Sequence, residues 1–159
     1  MAILDEIKHL SFFSSLSLVQ LQRLLPIIKK HELAAQKTLL FEGDSNRSIY
    51  VIGSGEIEIY KYADSNHSEG IYLTTLKTGE IFGEISFITG DSRSATLVTA
   101  TSVIIYEINK QDFDELSYHH PAPTYSIMLK INQVLCKRIR NSSDEFTEIM
   151  ASLQKATKK

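Results

Sequence analysis

The chain of 159 residues carries 43% apolar and 23% charged residues, the proportions of one globular domain with a packed core and not of a disordered chain. No apolar run approaches the ~18 residues of a membrane span, and Asp5, Glu6 and Lys8 interrupt the first ten residues where a secretory signal needs an apolar stretch. Residues 1–123 hold 10 Lys/Arg against 16 Asp/Glu, and residues 124–159 hold 7 against 3, so the acidic body has no attraction for a polyanion such as DNA and the basic tail reads as a solvated helix face.

All seven glycines fall between positions 43 and 90. Glycine punctuates turns and strands and is costly inside helices, so the order helix, β-rich middle, helix is expected. Residues 1–35 read as helical pieces. Ile3, Leu4, Ile7 and Leu10 keep one face, and Ser17 caps a second stretch in which Leu18, Leu21, Leu24 and Leu25 recur at helical spacing. Short strands then follow between turn signals, at Thr38–Phe41, Ser48–Ile52, Glu56–Tyr60, Ile71–Leu76, Ala95–Ala100 and Val103–Ile108. Glu56–Tyr60 alternates polar and apolar residues as a half-buried antiparallel strand requires. Ala63–Gly70 (ADSNHSEG) reads as a polar hairpin tip. Strands at roughly 8–12-residue spacing point to a sandwich or barrel of the jelly-roll kind. The expected fold is therefore α+β: an antiparallel β jelly-roll barrel flanked by an N-terminal helical bundle and a long C-terminal helix.

His119 and His120 beside Pro121 and Pro123 read as a loop, with Thr124 as the cap of the last helix. This divides the chain into a body, 1–123, and a helix, 124–159. Ile127, Ile131 and Val134 form one apolar stripe of that helix, and a second asks for another partner. The second repeats in sevens, as Met128, Leu135, Ser142, Ile149 and as Asn132, Ile139, Phe146, Leu153. Six of these eight residues are apolar, which predicts a coiled-coil seam and a homodimer along a continuous helix. The competing reading ends the helix near Asn141 and restarts it at the capping box Ser142-x-x-Glu145. Cys136, the single cysteine, falls within this helix; it excludes an internal disulfide and a multi-cysteine metal site, and a reducing, cytoplasmic setting is expected.

The chemistry concentrates in Phe82-Gly83-Glu84-Ile85-Ser86-Phe87 and the following Ser92-Arg93-Ser94-Ala95-Thr96. A strand ending at Gly83 and a short helix starting at Glu84 offer free backbone N–H groups to an anion, and glycine allows close approach. Arg93 supplies a planar fork of donors suited to two phosphate oxygens, and Glu84 suits a sugar hydroxyl. The set describes a site for a ligand with one negative phosphate and a ribose. The bland alternative is a structural ion pair between Glu84 and Arg93.

This segment closely resembles the phosphate-binding cassette of the cyclic nucleotide-binding domain family, whose pattern is roughly F-G-E-[LI]-A-L, a spacer, then P-R-x-A-[TS]. The resemblance extends to Leu39-Leu40-Phe41-Glu42-Gly43-Asp44 and to Ile49-Tyr50-Val51-Ile52-Gly53-Ser54-Gly55-Glu56, which look like the family's L-F-x-x-G-D turn and Y-x-I-x-x-G hairpin. Leu10–Phe13 and the leucines after it are similar to its N-terminal bundle. It implies that Glu84 accepts from the ribose 2′-OH, that Arg93 clamps the phosphate, and that backbone N–H groups of Gly83, Ile85, Ser86 and Ala95 line it. Ile59, Leu73 and Leu76 match positions walling sugar and base, Ser94 a position that contacts phosphate or guanine, and Val134 and Arg138 are placed to cover the base. Ser92 departs from the usual proline, Ser86 from alanine, and Gln36-Lys37 from a common Gly-Glu, yet no donor or charge of the cassette is lost.

The implied function is a cyclic-nucleotide sensor, with cAMP favoured over cGMP, that signals through its C-terminal helix to an effector protein. Catalysis is not expected: the five histidines lack the H-x-H…H spacing of a metal-bearing barrel, no nucleophilic triad is spelled out, and no metal or cofactor is called for. The 20 residues after Ile139 are too few for the family's helix-turn-helix, so DNA reading is not expected either. A ligand-independent interaction or dimerisation module on the same fold is the alternative.

Overall fold

A computed structural model of the chain describes residues 3–62 and 70–157, so the predicted hairpin tip Ala63–Gly70 lies outside the described residues except for Gly70, which stands in a strand. Two compact units are distinguished, Met1–Ser126 and Ile127–Lys159.

The first unit opens with α1 (Ile3–Ile7), a series of turns and α2 (Leu18–Leu24). Ser17 caps α2 as its sequence predicts: the Gln20 N–H donates to Ser17 Oγ at 3.3 Å, and the Ser17 N–H donates to Gln20 Oε1 at 2.9 Å. Helix then gives way to strand sooner than expected. A short 3-10 turn containing Pro26 ends α2, and β1 (Ile28–Leu33) follows where helix was predicted. Its sequence, IKKHEL, has apolar ends and a polar middle and no period-2 pattern. Its conformation is imposed by pairing with a partner 70–80 residues away, from Ile28 opposite Ile108 to Leu33 opposite Val103.

The remaining strands are β2 (Thr38–Leu40), β3 (Ser48–Ser54), β4 (Glu56–Tyr62), β5 (Gly70–Lys77), β6 (Ile81–Phe82), β7 (Thr96–Thr99) and β8 (Val103–Asn109), with α3 (Glu84–Thr89) between β6 and β7. They form two four-stranded antiparallel sheets in the orders β1-β8-β3-β6 and β2-β7-β4-β5, a jelly-roll connectivity. Inner-face residues of both sheets build one core, Tyr50, Ile52, Phe82, Val103 and Ile105 from the first and Leu40, Ile57, Leu76 and Leu97 from the second. The opposite face of the first sheet is also buried, at Ile49, Val51, Ile81, Tyr106 and Ile108. There the Tyr106 hydroxyl donates to Glu6 Oε2 and Lys30 Nζ pairs with the same carboxylate at 3.0 Å, tying α1 to the sheet. Burial on both faces explains why β3 reads as an unbroken run, Ser48–Ile52, and does not alternate. At the edge of the second sheet β5 is mostly exposed.

The segment after β8 forms α4 (Lys110–His119), capped by Asn109 Oδ1, which accepts from the Gln111 N–H at 2.9 Å. His119 is thus helical, and only His120 stands in the predicted loop. Phe113 of α4 meets Phe87 of α3 edge to face, with ring centroids 5.1 Å apart.

Helix α5 (Pro121–Thr157) begins three residues before the predicted cap and is continuous over 37 residues. Pro121 and Pro123 sit in the first turn, where a missing N–H costs nothing. Thr124 does not cap the helix; its hydroxyl donates back to the Pro121 carbonyl at 2.9 Å. The second unit consists of the rest of α5. Within it Ile127 and Ile131 are buried, while Ile139, Phe146, Ile149 and Leu153 are between 55% and 69% exposed. Among the described residues no helix is long and apolar enough to cross a membrane.

Candidate functional site

The site begins where β6 ends. Phe82 stacks on Tyr50 with centroids 4.9 Å apart, and Gly83, at φ +80°, swings the chain into α3. Two demands fall on Gly83. Its left-handed backbone disfavours any side chain, and a Cβ there would lie 2.5 Å from Arg93 Nη1 and 2.7 Å from the Ser48 carbonyl oxygen. The group that approaches this glycine so closely is the arginine of the same cassette. Gly90, again at φ +80°, ends α3 after six residues.

Arg93 is anchored by its backbone before its side chain is considered. Its N–H donates to the Asp44 carbonyl at 2.8 Å, and its carbonyl accepts from the Gly43 N–H at 2.8 Å. The turn before β3 is thereby clipped to the cassette. The side chain runs inward and is 4% exposed. Nη1 donates to the Gly83 carbonyl at 2.9 Å, and Nη2 donates to Asn46 Oδ1 at 2.7 Å and to the Ser48 carbonyl at 2.6 Å. The guanidinium lies 5.8 Å from the Tyr50 ring centroid, within cation–π range. Among the described residues Arg93 Nε is buried and has no hydrogen-bond partner. Burial pulls the guanidinium below its ordinary pKa, opposed by Tyr50, Glu84 and Asp44. A guanidinium nevertheless stays protonated in proteins, so the site holds a buried positive charge with a donor to spare.

Glu84 and Ser86 on α3 are both buried, and Ser86 Oγ donates to the Ser92 carbonyl at 3.3 Å, closing the cassette loop on itself. At the second and third positions of the helix the N–H groups of Ile85 and Ser86 have no intrahelical acceptor. Ile85 is exposed, Ser94 is exposed and Ala95 is half-buried against the core. Gly83, Glu84, Ile85, Ser86, Arg93, Ser94 and Ala95 are thus brought into one loop-and-helix unit.

The three residues matched to the sugar and base occupy different environments. Ile59 is half-buried on the core, and Leu76 is part of the core itself. Leu73 is exposed and stands unopposed at a β-bulge, because Ile59 pairs with Thr74 and Tyr60 with Tyr72. Val134 and Arg138 belong to the second compact unit, each half-buried. Sequence reasoning assigned no role to Asn46, Ser48 or Tyr50, the residues that frame the arginine. The available signal was Asn46-x-Ser48, an Asx-turn spacing realised as a 2.8 Å bond from the Ser48 N–H to Asn46 Oδ1.

Fold and cassette together define a jelly-roll ligand-binding domain whose site carries a buried arginine and a buried carboxylate beside a helix start. The family model described as the cyclic nucleotide-binding domain matches residues 30–120, and the chain belongs to that family. Lysophospholipase NTE1 of Saccharomyces cerevisiae is 31% identical over 116 residues, which cover 67% of this chain and 7% of that protein. A cGMP-dependent protein kinase of Drosophila melanogaster is 27% identical over 115 residues, covering 72% and 10% respectively. The matched region is therefore a tenth or less of the length of these curated relatives. Among solved structures, a cyclic nucleotide-binding domain from Methylobacillus flagellatus superposes with a TM-score of 0.80 at 23% identity, covering 90% of this chain and 82% of that one. The catabolite activator protein of Thermus thermophilus superposes with a TM-score of 0.72 at 20% identity, covering 87% and 62%.

Proposed function

We propose that the chain is a cyclic-nucleotide sensor, binding cAMP in preference to cGMP, that passes its state to an effector protein through α5. The observation that carries this reading is the buried Arg93, whose Nε has no acceptor among the described residues. An unsatisfied buried donor costs roughly 1–3 kcal/mol, more for a charged group, and an anionic oxygen of the ligand relieves that cost. Ile85 and Ser86 add backbone N–H groups, and Glu84 supplies the acceptor for a ribose hydroxyl. Ser94 fits either base. The preference for cAMP draws on the similar regulatory domain of a Toxoplasma gondii protein kinase, solved with cAMP, at a TM-score of 0.67 and 13% identity over 87% of this chain and 48% of that one. The reading involves no catalytic step and no cofactor.

The coupling element is the exposed seam of α5. Ile139, Phe146, Ile149 and Leu153 on one heptad stripe have apolar surface to bury, and a second copy of the helix offers the matching stripe. Nucleotide binding shifts the dimer only to the extent that it favours one arrangement of that helix over another. A ligand-independent dimerisation module is the second reading, favoured by the fact that three protein acceptors already hold the Nη atoms of Arg93.

Calorimetric titration with cAMP and with cGMP, alongside Arg93→Ala, separates the two. Binding lost in the variant supports the sensor. No heat and no thermal stabilisation from either nucleotide near millimolar concentration overturns it and leaves the module.

A further inference from the structure

We propose that Asn46 is the positioning residue of the cassette, which aims Arg93 through a neutral oxygen and so brings no negative charge of its own against the guanidinium that is to meet an anion. The inference rests on the anion-binding reading of the site and adds what governs its strength. Asn46 lies in the exposed turn between β2 and β3, so core packing does not account for it. Its single oxygen gathers three donors: Arg93 Nη2 at 2.7 Å, the Ser48 N–H at 2.8 Å and the Tyr50 hydroxyl at 3.4 Å. It also anchors the N–H of Ser48, the residue whose own carbonyl is the second acceptor on the same Nη2, at 2.6 Å. Two of the three acceptors that hold the Nη atoms are therefore Asn46 itself and the carbonyl of the residue that it anchors. All three are neutral, a side-chain amide and two backbone carbonyls.

Neutrality is the functional point. An aspartate at this position has the same shape and accepts the same three hydrogen bonds, so it keeps the turn and the arginine in place. It adds a negative charge in contact with the guanidinium, and an incoming phosphate must then compete with a resident carboxylate. Residue 46 thus sets how much of the Arg93 charge the ligand receives.

The test compares wild type, Asn46→Asp and Asn46→Ala by calorimetric titration with cAMP and cGMP and by thermal unfolding without ligand. The expected result for Asn46→Asp is an unliganded melting temperature equal to or above wild type together with an affinity lower by roughly ten-fold or more. Asn46→Ala is expected to lose both stability and affinity. A purely structural asparagine moves stability and affinity in the same direction in both variants, so the opposed signs in Asn46→Asp are the diagnostic. Nucleotide binding by Asn46→Asp within about two-fold of wild type, or a loss that follows its melting temperature, overturns the positioning role while the sensor reading stands. Failure of the wild type to bind either nucleotide overturns the sensor reading, and the role of Asn46 falls with it.

Discussion

Replacing Gly83 with alanine separates two costs that usually arrive together, because Gly43 provides an internal control. Both glycines have positive φ, +80° and +92°, and an L-residue in the left-handed region costs roughly 1–2 kcal/mol. At Gly43 an added Cβ meets nothing within 4 Å, so Gly43→Ala bears the backbone cost alone and keeps the N–H that donates to the Arg93 carbonyl. At Gly83 the same methyl lands 2.5 Å from Arg93 Nη1, and the guanidinium must retreat by roughly 1 Å to restore an ordinary contact. Its 2.9 Å bond to the Gly83 carbonyl does not survive that movement. A hydrogen bond to a charged group is worth roughly 1.5–3 kcal/mol, which brings the total for Gly83→Ala to at least about 2.5–5 kcal/mol, to which the 2.7 Å approach to the Ser48 carbonyl oxygen adds. For a chain of this size, each 1 kcal/mol lowers the melting temperature by roughly 2–4 °C. Urea unfolding measures the two losses, and calorimetric nucleotide titration runs beside it. Gly83→Ala is expected to unfold at distinctly lower urea and to lose nucleotide binding, while Gly43→Ala binds nearly as wild type. Equal stability losses in the two variants, or unchanged nucleotide affinity in Gly83→Ala, refute the argument that Arg93 dictates the glycine.

Two further outcomes are expected. Phe146→Glu combined with Ile149→Glu places charge on the α5 seam and converts a dimer to a monomer in light scattering, whereas Arg93→Ala stays dimeric; a wild type that is monomeric at every concentration removes the coupling element. The α1–sheet tie predicts pH dependence on both sides of neutrality. Hydrogen bonds from Tyr106 and then Lys30 hold Glu6 below its ordinary value, so its contribution is complete above about pH 4.5 and is lost as pH falls through the lower folded value. Burial first, then its bond to Glu6, pushes Tyr106 up, so its contribution is complete below about pH 10 and is lost as pH rises through the higher folded value. Tyr106→Phe flattens both limbs in urea midpoints measured across pH; an unchanged profile shows that the pair does not couple α1 to the sheet.

Local pattern carried much of the architecture. Turn glycines and alternating runs located six strands within a residue or two at most ends, and the reciprocal bond between Ser17 and Gln20 was readable because a capping box involves residues three apart. The order strand, glycine, short helix at 82–89 was equally local, as was the heptad that predicted α5 to be one helix. Membership of the cyclic nucleotide-binding family was legible for the same reason, since its cassette is a contiguous motif.

What the tertiary structure decided involves partners distant in the chain. IKKHEL becomes a strand only because β8 offers a free edge, and Leu76 enters the core through packing across two sheets. One reason for Gly83 is likewise remote: the space that a Cβ would take there is occupied by Arg93, ten residues on, and by the Ser48 carbonyl. The Asn46-x-Ser48 spacing marks an Asx-turn and nothing more, yet the two residues hold the arginine from 47 and 45 residues away. A sequence records periodicity and spacing along the chain, which determine helices, strands and turns. The environment of a buried charge depends on which distant acceptors the fold brings within 3 Å of it, and only the closed structure specifies them.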